Sequence, residues 1–230
     1  MNGLTLNTFS ITAKCRHTGM FGVAVSTARP AVGGLVPYAK AGVGAIATQA
    51  LVNPFVGIDG MRHLSAGLSA AEVKERLLGE DDPEHVERRQ FAIVDAAGRT
   101  AGYTGGDTVP WAGHKAGDGF VVAGNMLVGA ETIEAMAESF AGSGERPLAE
   151  RLLDALACGQ RAGGDKRGKQ SAALYVVHEE EYPLVDIRVD EHAAPVDELK
   201  RVYEVCQTDL FPYMAKAPRR AKRKAGGDAG

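Results

Sequence analysis

Three hydroxyl residues, Thr8, Ser10 and Thr12, recur at every second position near the start of the chain. A period of two places them on one face of a β-strand. Were the bond after Asn7 cut, Thr8 would become a terminal residue carrying both a hydroxyl and an α-amine. A free α-amine has a pKa of roughly 7.7–8.0, so it can take the hydroxyl proton and leave a nucleophile that needs no histidine. Acyl transfer is the chemistry such a residue performs. Uncut, the same hydroxyls simply line a strand.

Two other patterns fit chemical motifs by their letters but not by their setting. The run Gly163-Gly164-Asp165-Lys166-Arg167-Gly168-Lys169 has the glycine and lysine spacing of a phosphate-binding loop. Such a loop follows a strand and opens a helix, whereas here a helix precedes and a strand follows. Gln170 also stands where a magnesium-binding hydroxyl belongs. The run Gly42-Val43-Gly44-Ala45-Ile46-Ala47 matches a dinucleotide fingerprint, yet it begins a strand instead of following one. The six histidines show no paired spacing with each other or with cysteine for a tetrahedral metal site. No Gly-x-Ser-x-Gly elbow is present. No metal and no cofactor is therefore expected.

The elements that must position these residues follow from hydrophobic period. Strands are predicted at 8–14, 21–27, 43–49, 90–95, 99–104, 119–123, 172–178 and 184–189. Helices are predicted at 56–64, 69–78, 132–140, 148–160 and 196–206. Ser69 followed by Glu72 spells a capping box at the second helix. Hairpins of strands with helices inserted in pairs argue for sheets covered by helical layers, not for strict β-α-β alternation.

At 230 residues with 45% hydrophobic and 24% charged residues, the chain is predicted to form one globular domain over 8–210. Residues 1–7 form a leader, and 211–230 a disordered basic tail. The net charge of -3 hides that tail, where Lys216, Arg219, Arg220, Lys222, Arg223 and Lys224 face only Asp228. Nucleic-acid binding would rest on this run alone and is not expected, since no aromatic residues interleave it. No apolar run approaches bilayer length and no export signal is evident, so no membrane partner is expected. Three cysteines, odd in number and far apart, fit a reducing cytoplasm. Homo-oligomer formation is left open.

Five segments, taken together and in this order, resemble the domain-of-unknown-function family 1028: Thr8-Phe9-Ser10-Ile11, Gly22 to Ser26, Ala47 to Pro54, Gly124-Asn125, and Ala162 to Ala172. That family is grouped with the N-terminal-nucleophile hydrolases. The resemblance implies an α+β fold, a four-layer αββα sandwich of two antiparallel sheets covered by helices, and cleavage of amide bonds. It implies Thr8 as nucleophile, freed by cleavage after Asn7, with Ser10 as the second choice of hydroxyl. Ser26 would hydrogen-bond the nucleophile's amine, and Lys40 would lower a nearby pKa by its charge. Asn125 would offer an amide N–H to a developing oxyanion, or else cap a turn. Gln49 and Asn53 would bind a polar substrate, although an Asn before Pro is also an ordinary turn residue. Asp165 is expected to organise the site, and Arg167 to grip a substrate carboxylate, unless the two form a structural ion pair. Gln170 and Ser171 add polar groups for substrate. The expected activity is that of an amidohydrolase acting on a small polar or anionic amide. The alternative is a non-catalytic ligand-binding or assembly protein on the same fold.

Overall fold

Alternation along residues 8–14 sends Phe9, Ile11 and Ala13 to one side and Thr8, Ser10 and Thr12 to the other, and both sides are buried. A strand buried on both faces needs a layer on each side, and the fold supplies them. The computed structural model describes residues 4–6 and 8–220.

Eleven strands are present among the described residues: β1 (Thr5–Leu6), β2 (Thr8–Lys14), β3 (Phe21–Thr27), β4 (Pro37–Lys40), β5 (Gly44–Leu51), β6 (Arg89–Asp95), β7 (Thr100–Thr104), β8 (Gly113–Gly117), β9 (Phe120–Gly124), β10 (Ser171–Val177) and β11 (Val185–Val189). The helices are α1 (Pro54–Ser65), α2 (Ala70–Glu80), α3 (Glu131–Ala141), α4 (Leu148–Arg161), α5 (Pro195–Asp209) and the short α6 (Phe211–Met214). One sheet runs β1-β5-β6-β7, with β4 also paired to β5; the other runs β11-β10-β3-β2-β9-β8. All the pairings are antiparallel.

Three apolar layers hold the stack together. Ile46, Phe91 and Ile93 of the first sheet pack with Val56, Leu64, Val73 and Leu77 of α1 and α2. Phe9, Ile11 and Leu174 of the second sheet pack with Met136, Phe140, Leu152, Leu156 and Leu199 of α3, α4 and α5. Between the sheets lie Val23, Val25, Ala45, Ala47, Val94 and Ala173. The architecture is the expected four-layer αββα sandwich. Small residues dominate the inner face of β5 because a second sheet, not a helix, lies against it.

The capping box forms as the sequence indicates: Ser69 Oγ accepts from the Glu72 N–H and the Glu72 carboxylate accepts from the Ser69 N–H. Strands β1, β4 and β8 and helix α6 were not anticipated. The chain past residue 210 also differs from the tail expected there. α6 rests its Phe211 on Tyr203 with ring centroids 5.5 Å apart, and Arg219 and Arg220 pair with Glu179 and Glu181. The rest of the expected tail, 221–230, lies outside the described residues, as do 1–3 and Asn7. Among the described residues no helix is long and apolar enough to cross a membrane.

Candidate active site at the head of β2

Antiparallel register aligns Thr8 of β2 with Thr27 of β3, and Thr27 with Ser171 of β10. Cross-strand partners share a face, so three hydroxyl residues stand in a row across three strands, on the face turned toward the other sheet. All three are fully buried. Ser171 Oγ donates to Arg29 O at 2.5 Å and accepts from the Val32 N–H at 3.2 Å. Thr8 Oγ1, by contrast, is a buried hydroxyl with no hydrogen-bond partner among the described residues. Its carbonyl is engaged twice: Thr8 O accepts from the Asn125 N–H at 3.0 Å and from Gln49 Nε2 at 3.4 Å.

Beside Thr8, the space between the sheets holds a polar network. Ser10 Oγ donates to Gln49 Oε1 at 2.7 Å, and Gln49 Nε2 donates to Gln90 Oε1 at 2.7 Å. Asn125 Nδ2 donates to the same Gln90 oxygen at 3.0 Å. Gln90 Nε2 in turn reaches Thr104 Oγ1, Gly113 O and Gly124 O at 2.8–3.1 Å. The network ends at His114, whose Nδ1 lies 2.9 Å from Thr104 Oγ1. Burial, with a smaller contribution from Lys74, lowers the His114 pKa. A neutral imidazole can accept the Thr104 hydroxyl proton. Asn125 Oδ1 has no partner among the described residues, so with Thr8 Oγ1 it is one of two unsatisfied oxygens on residues that already share a backbone bond.

The glycine-rich turn before β10 closes the same end. Asp165 is buried; its Oδ2 accepts from the Ala28 N–H at 3.2 Å, one residue beyond Thr27, and its Oδ1 from the Arg167 N–H at 2.9 Å. Arg167 binds both carboxylate oxygens through Nε and Nη2 at 3.1 and 2.6 Å. Gly164, at φ 62°, lets the backbone run so close to Phe9 and Gln160 that an added Cβ would lie about 3 Å from both. The turn is stitched to the segment after β9 by Val128 N–H to Gly164 O and Lys166 N–H to Met126 O, both 3.1 Å. Gly163 and Gly164 thus serve close packing, whereas Gly168, at φ 115°, has open space about it and serves the left-handed backbone of the turn.

Three non-glycine residues adopt left-handed backbone conformations among the described residues: Ala31, Ala50 and Met126. Ala31 follows the strand that holds Thr27, Ala50 pairs with Leu6 of β1, and Met126 adjoins Asn125. Such conformations each cost about 1–2 kcal/mol. Their gathering around the head of β2 marks this end of the sandwich as the one where geometry is held against local preference.

The expected site residues distribute unevenly. Thr8, Gln49, Asn125, Asp165 and Ser171 do gather at this end. Ser26 does not face Thr8: it pairs with Phe9, whose side chain enters the helix-side core, and its Oγ donates to Ser171 O at 3.2 Å. Gln49 is buried within the network instead of facing a substrate. The Asn125 backbone N–H is taken by Thr8 O, which leaves its side-chain amide for the expected role. Asn53 is the N-cap of α1, accepting from the Phe55 N–H at 3.0 Å and donating to Asp81 at 3.2 Å. Lys40 sits at the far end of β4, where it donates to Ser65. Ser10 is committed to Gln49. Gln170 is half-buried, and its backbone N–H donates to Thr27 O at 2.8 Å. Sequence reasoning missed Thr27, Gln90, Thr104 and His114. The even positions Gln90, Ala92 and Val94 alternate with Phe91 and Ile93, but nothing in that pattern says which face meets the second sheet.

Fold and site together define a four-layer αββα protein with a buried threonine at the head of its first long strand. Residues 8–199 match the model of a family of unknown function, DUF1028, and the chain belongs to that family. Protein SPO2555 from Silicibacter pomeroyi, whose structure is described under the same family model, is 30% identical. The likeness spans 92% of this chain and 94% of that one, at a TM-score of 0.83. Anbu (ancestral beta-subunit) from Yersinia bercovieri is 9% identical, over 93% of this chain and 99% of that one, at a TM-score of 0.39. No match was found among curated proteins.

Proposed function

We propose that this protein is an N-terminal-nucleophile hydrolase of a small amide or peptide-like C–N bond, with Thr8 as nucleophile once the bond after Asn7 is cut. The observation that supports the reading is that Thr8 Oγ1 and Asn125 Oδ1, on two residues joined by a backbone bond, are both buried without a partner among the described residues, whereas Thr12 Oγ1, also unpaired on the same face, has no such neighbour. Leaving a buried donor unmade costs about 1–3 kcal/mol, and a fold tolerates such a cost most readily where the group has a task.

The cut would give Thr8 an α-amine that accepts the hydroxyl proton. Oγ1 then attacks the substrate carbonyl, the amine of the substrate leaves carrying that proton, and water hydrolyses the ester to release the acid. Asn125 would assist by its side chain, because Nδ2 carries a second hydrogen beyond the one given to Gln90. Asp165, braced by Arg167 and bonded to the N–H just past Thr27, would hold the strand end beside the new amine. Arg167 would serve as a positioning residue, its fork being taken by Asp165 and not by a substrate carboxylate.

A second reading keeps the leader in place and makes the protein a non-catalytic ligand-binding or assembly protein. It is favoured by β1 itself, which pairs with β5 and buries Leu6. Turnover separates the two. Amidase activity of the chain begun at Thr8 that falls about a thousandfold or more in Thr8→Ala, at unchanged melting temperature, supports the hydrolase. Activity equal in Thr8→Ala and the parent would remove Thr8 from the chemistry.

A further inference from the structure

The described part of the leader, residues 4–6, is built into the sandwich. Thr5 pairs with Leu51 and Leu6 with Ala50, and the Val52 N–H donates to Leu4 O at 2.8 Å. Leu6 is 2% exposed and joins the cluster of Val25, Val32, Val36, Ala47 and Val52 between the sheets. Leu4, two residues earlier, is 53% exposed. Strand β4 covers only residues 44–47 of the same edge of β5, so along that edge the described strand partner of Ala50 and Leu51 is β1, while β6 pairs with Ala50 on the other edge. Ala50 holds a left-handed conformation where it meets Leu6.

Covalent connectivity gives this seat its meaning. Leu6 lies two residues before Thr8, so its Cα stands within about 7 Å of that of Thr8. Cleavage after Asn7 adds water across the bond, leaving a carboxylate on Asn7 and an amine on Thr8. A substrate whose acyl half becomes esterified to Thr8 Oγ1 presents its chain to the same surroundings that the leader's acyl half occupied on the Thr8 nitrogen. Resting on the hydrolase reading above, we infer that the leader's seat is the acyl-side substrate site. It selects an extended, N-acylated peptide with a branched aliphatic side chain one residue before the residue whose carbonyl is attacked. The edge of β5 supplies main-chain pairing, the Val52 N–H requires a carbonyl two residues before that aliphatic side chain, and the pocket among Val32, Val36, Ala47 and Val52 receives the side chain itself.

The test uses the full chain and the peptide acetyl-Leu-Thr-Leu-amide, with the same peptide ending in alanine as the control. Leu6→Asp places a carboxylate in the apolar pocket and unseats the leader. Calorimetry should show no peptide binding to the parent chain, binding to Leu6→Asp, and a preference of about tenfold or more for the leucine peptide over the alanine one. Equal binding of the two peptides, or none to a folded Leu6→Asp chain, overturns the inference. Should that variant not fold, the chain begun at Thr8, the start of the family's matched segment, gives the same reading. Peptide binding without turnover of any leucyl-asparaginyl amide keeps the seat and overturns the hydrolase reading. Amide hydrolysis without leucine preference or peptide binding does the reverse.

Discussion

Gln49 and Gln90 stand directly opposite each other on β5 and β6, and their side-chain amides meet at 2.7 Å between the two sheets. Through this pair, Ser10 and Asn125 of one sheet are tied to Thr104 and His114 at the other end of the network. A buried amide shared by so many partners cannot be removed without stranding them. We expect Gln90→Ala to destabilise the fold by about 3 kcal/mol, lowering the melting temperature by roughly 6–12 °C. A loss under 2 °C in a melting experiment would show that the network is not a structural tie.

Thr8 behaves oppositely in the uncut chain. Its hydroxyl is buried and has no partner among the described residues, so Thr8→Val, which keeps the branched shape and removes the oxygen, should stabilise the full-length protein by about 1 kcal/mol. Denaturant unfolding of the two chains checks this. A marked loss of stability would mean the hydroxyl is satisfied in solution.

The Asp165–Arg167 pair is asymmetric: the carboxylate side chain is fully buried, while the guanidinium is 25% exposed. Arg167→Ala leaves the carboxylate short of its partner and should cost about 2–3 kcal/mol. Lysine offers a single point of charge where the fork made two bonds, so Arg167→Lys should recover only part of that loss. Full recovery in thermal unfolding would show that charge alone matters there.

Asp95 carries the clearest acid dependence. Burial pushes its pKa up, but N–H groups of Ala70 and Arg99 and the Arg99 guanidinium outweigh this and hold it below the ordinary aspartate value. A carboxyl depressed in the fold contributes stability above its unfolded pKa, and that contribution is lost as pH falls through the folded value. Asp95→Asn should therefore be less stable than the parent at pH 7, and the gap should close below about pH 4. A gap constant from pH 7 to pH 3 would contradict this.

The layers were legible because the alternation at 8–14 and 21–27, the capping box at Ser69 and the helical spacing of 148–160 each carry their own local cause. The site was legible only in part. Thr8, Asn125 and Asp165 lie at chain punctuation, a strand head, a strand end and a glycine turn, where function can be guessed from position. Gln90 and Thr27 lie inside strands whose neighbours are buried on both faces, so no polar alternation distinguishes them. Ser26 misled for the related reason that one residue's shift along a strand reverses the face. The place of Asn53 before Pro54 spells a helix cap, and that is the part its amide plays. Strands β1 and β4 are two and four residues long, too short for any period to declare itself, and β1 exists only because β5 offers it an edge.

The central claim is that Thr8 becomes the first residue of the working protein. Intact-mass analysis of protein purified from its native host measures this directly. We expect a mass lacking residues 1–7, with turnover confined to that species. A preparation that retains Asn7 on every chain and still hydrolyses amides at full rate would contradict the claim.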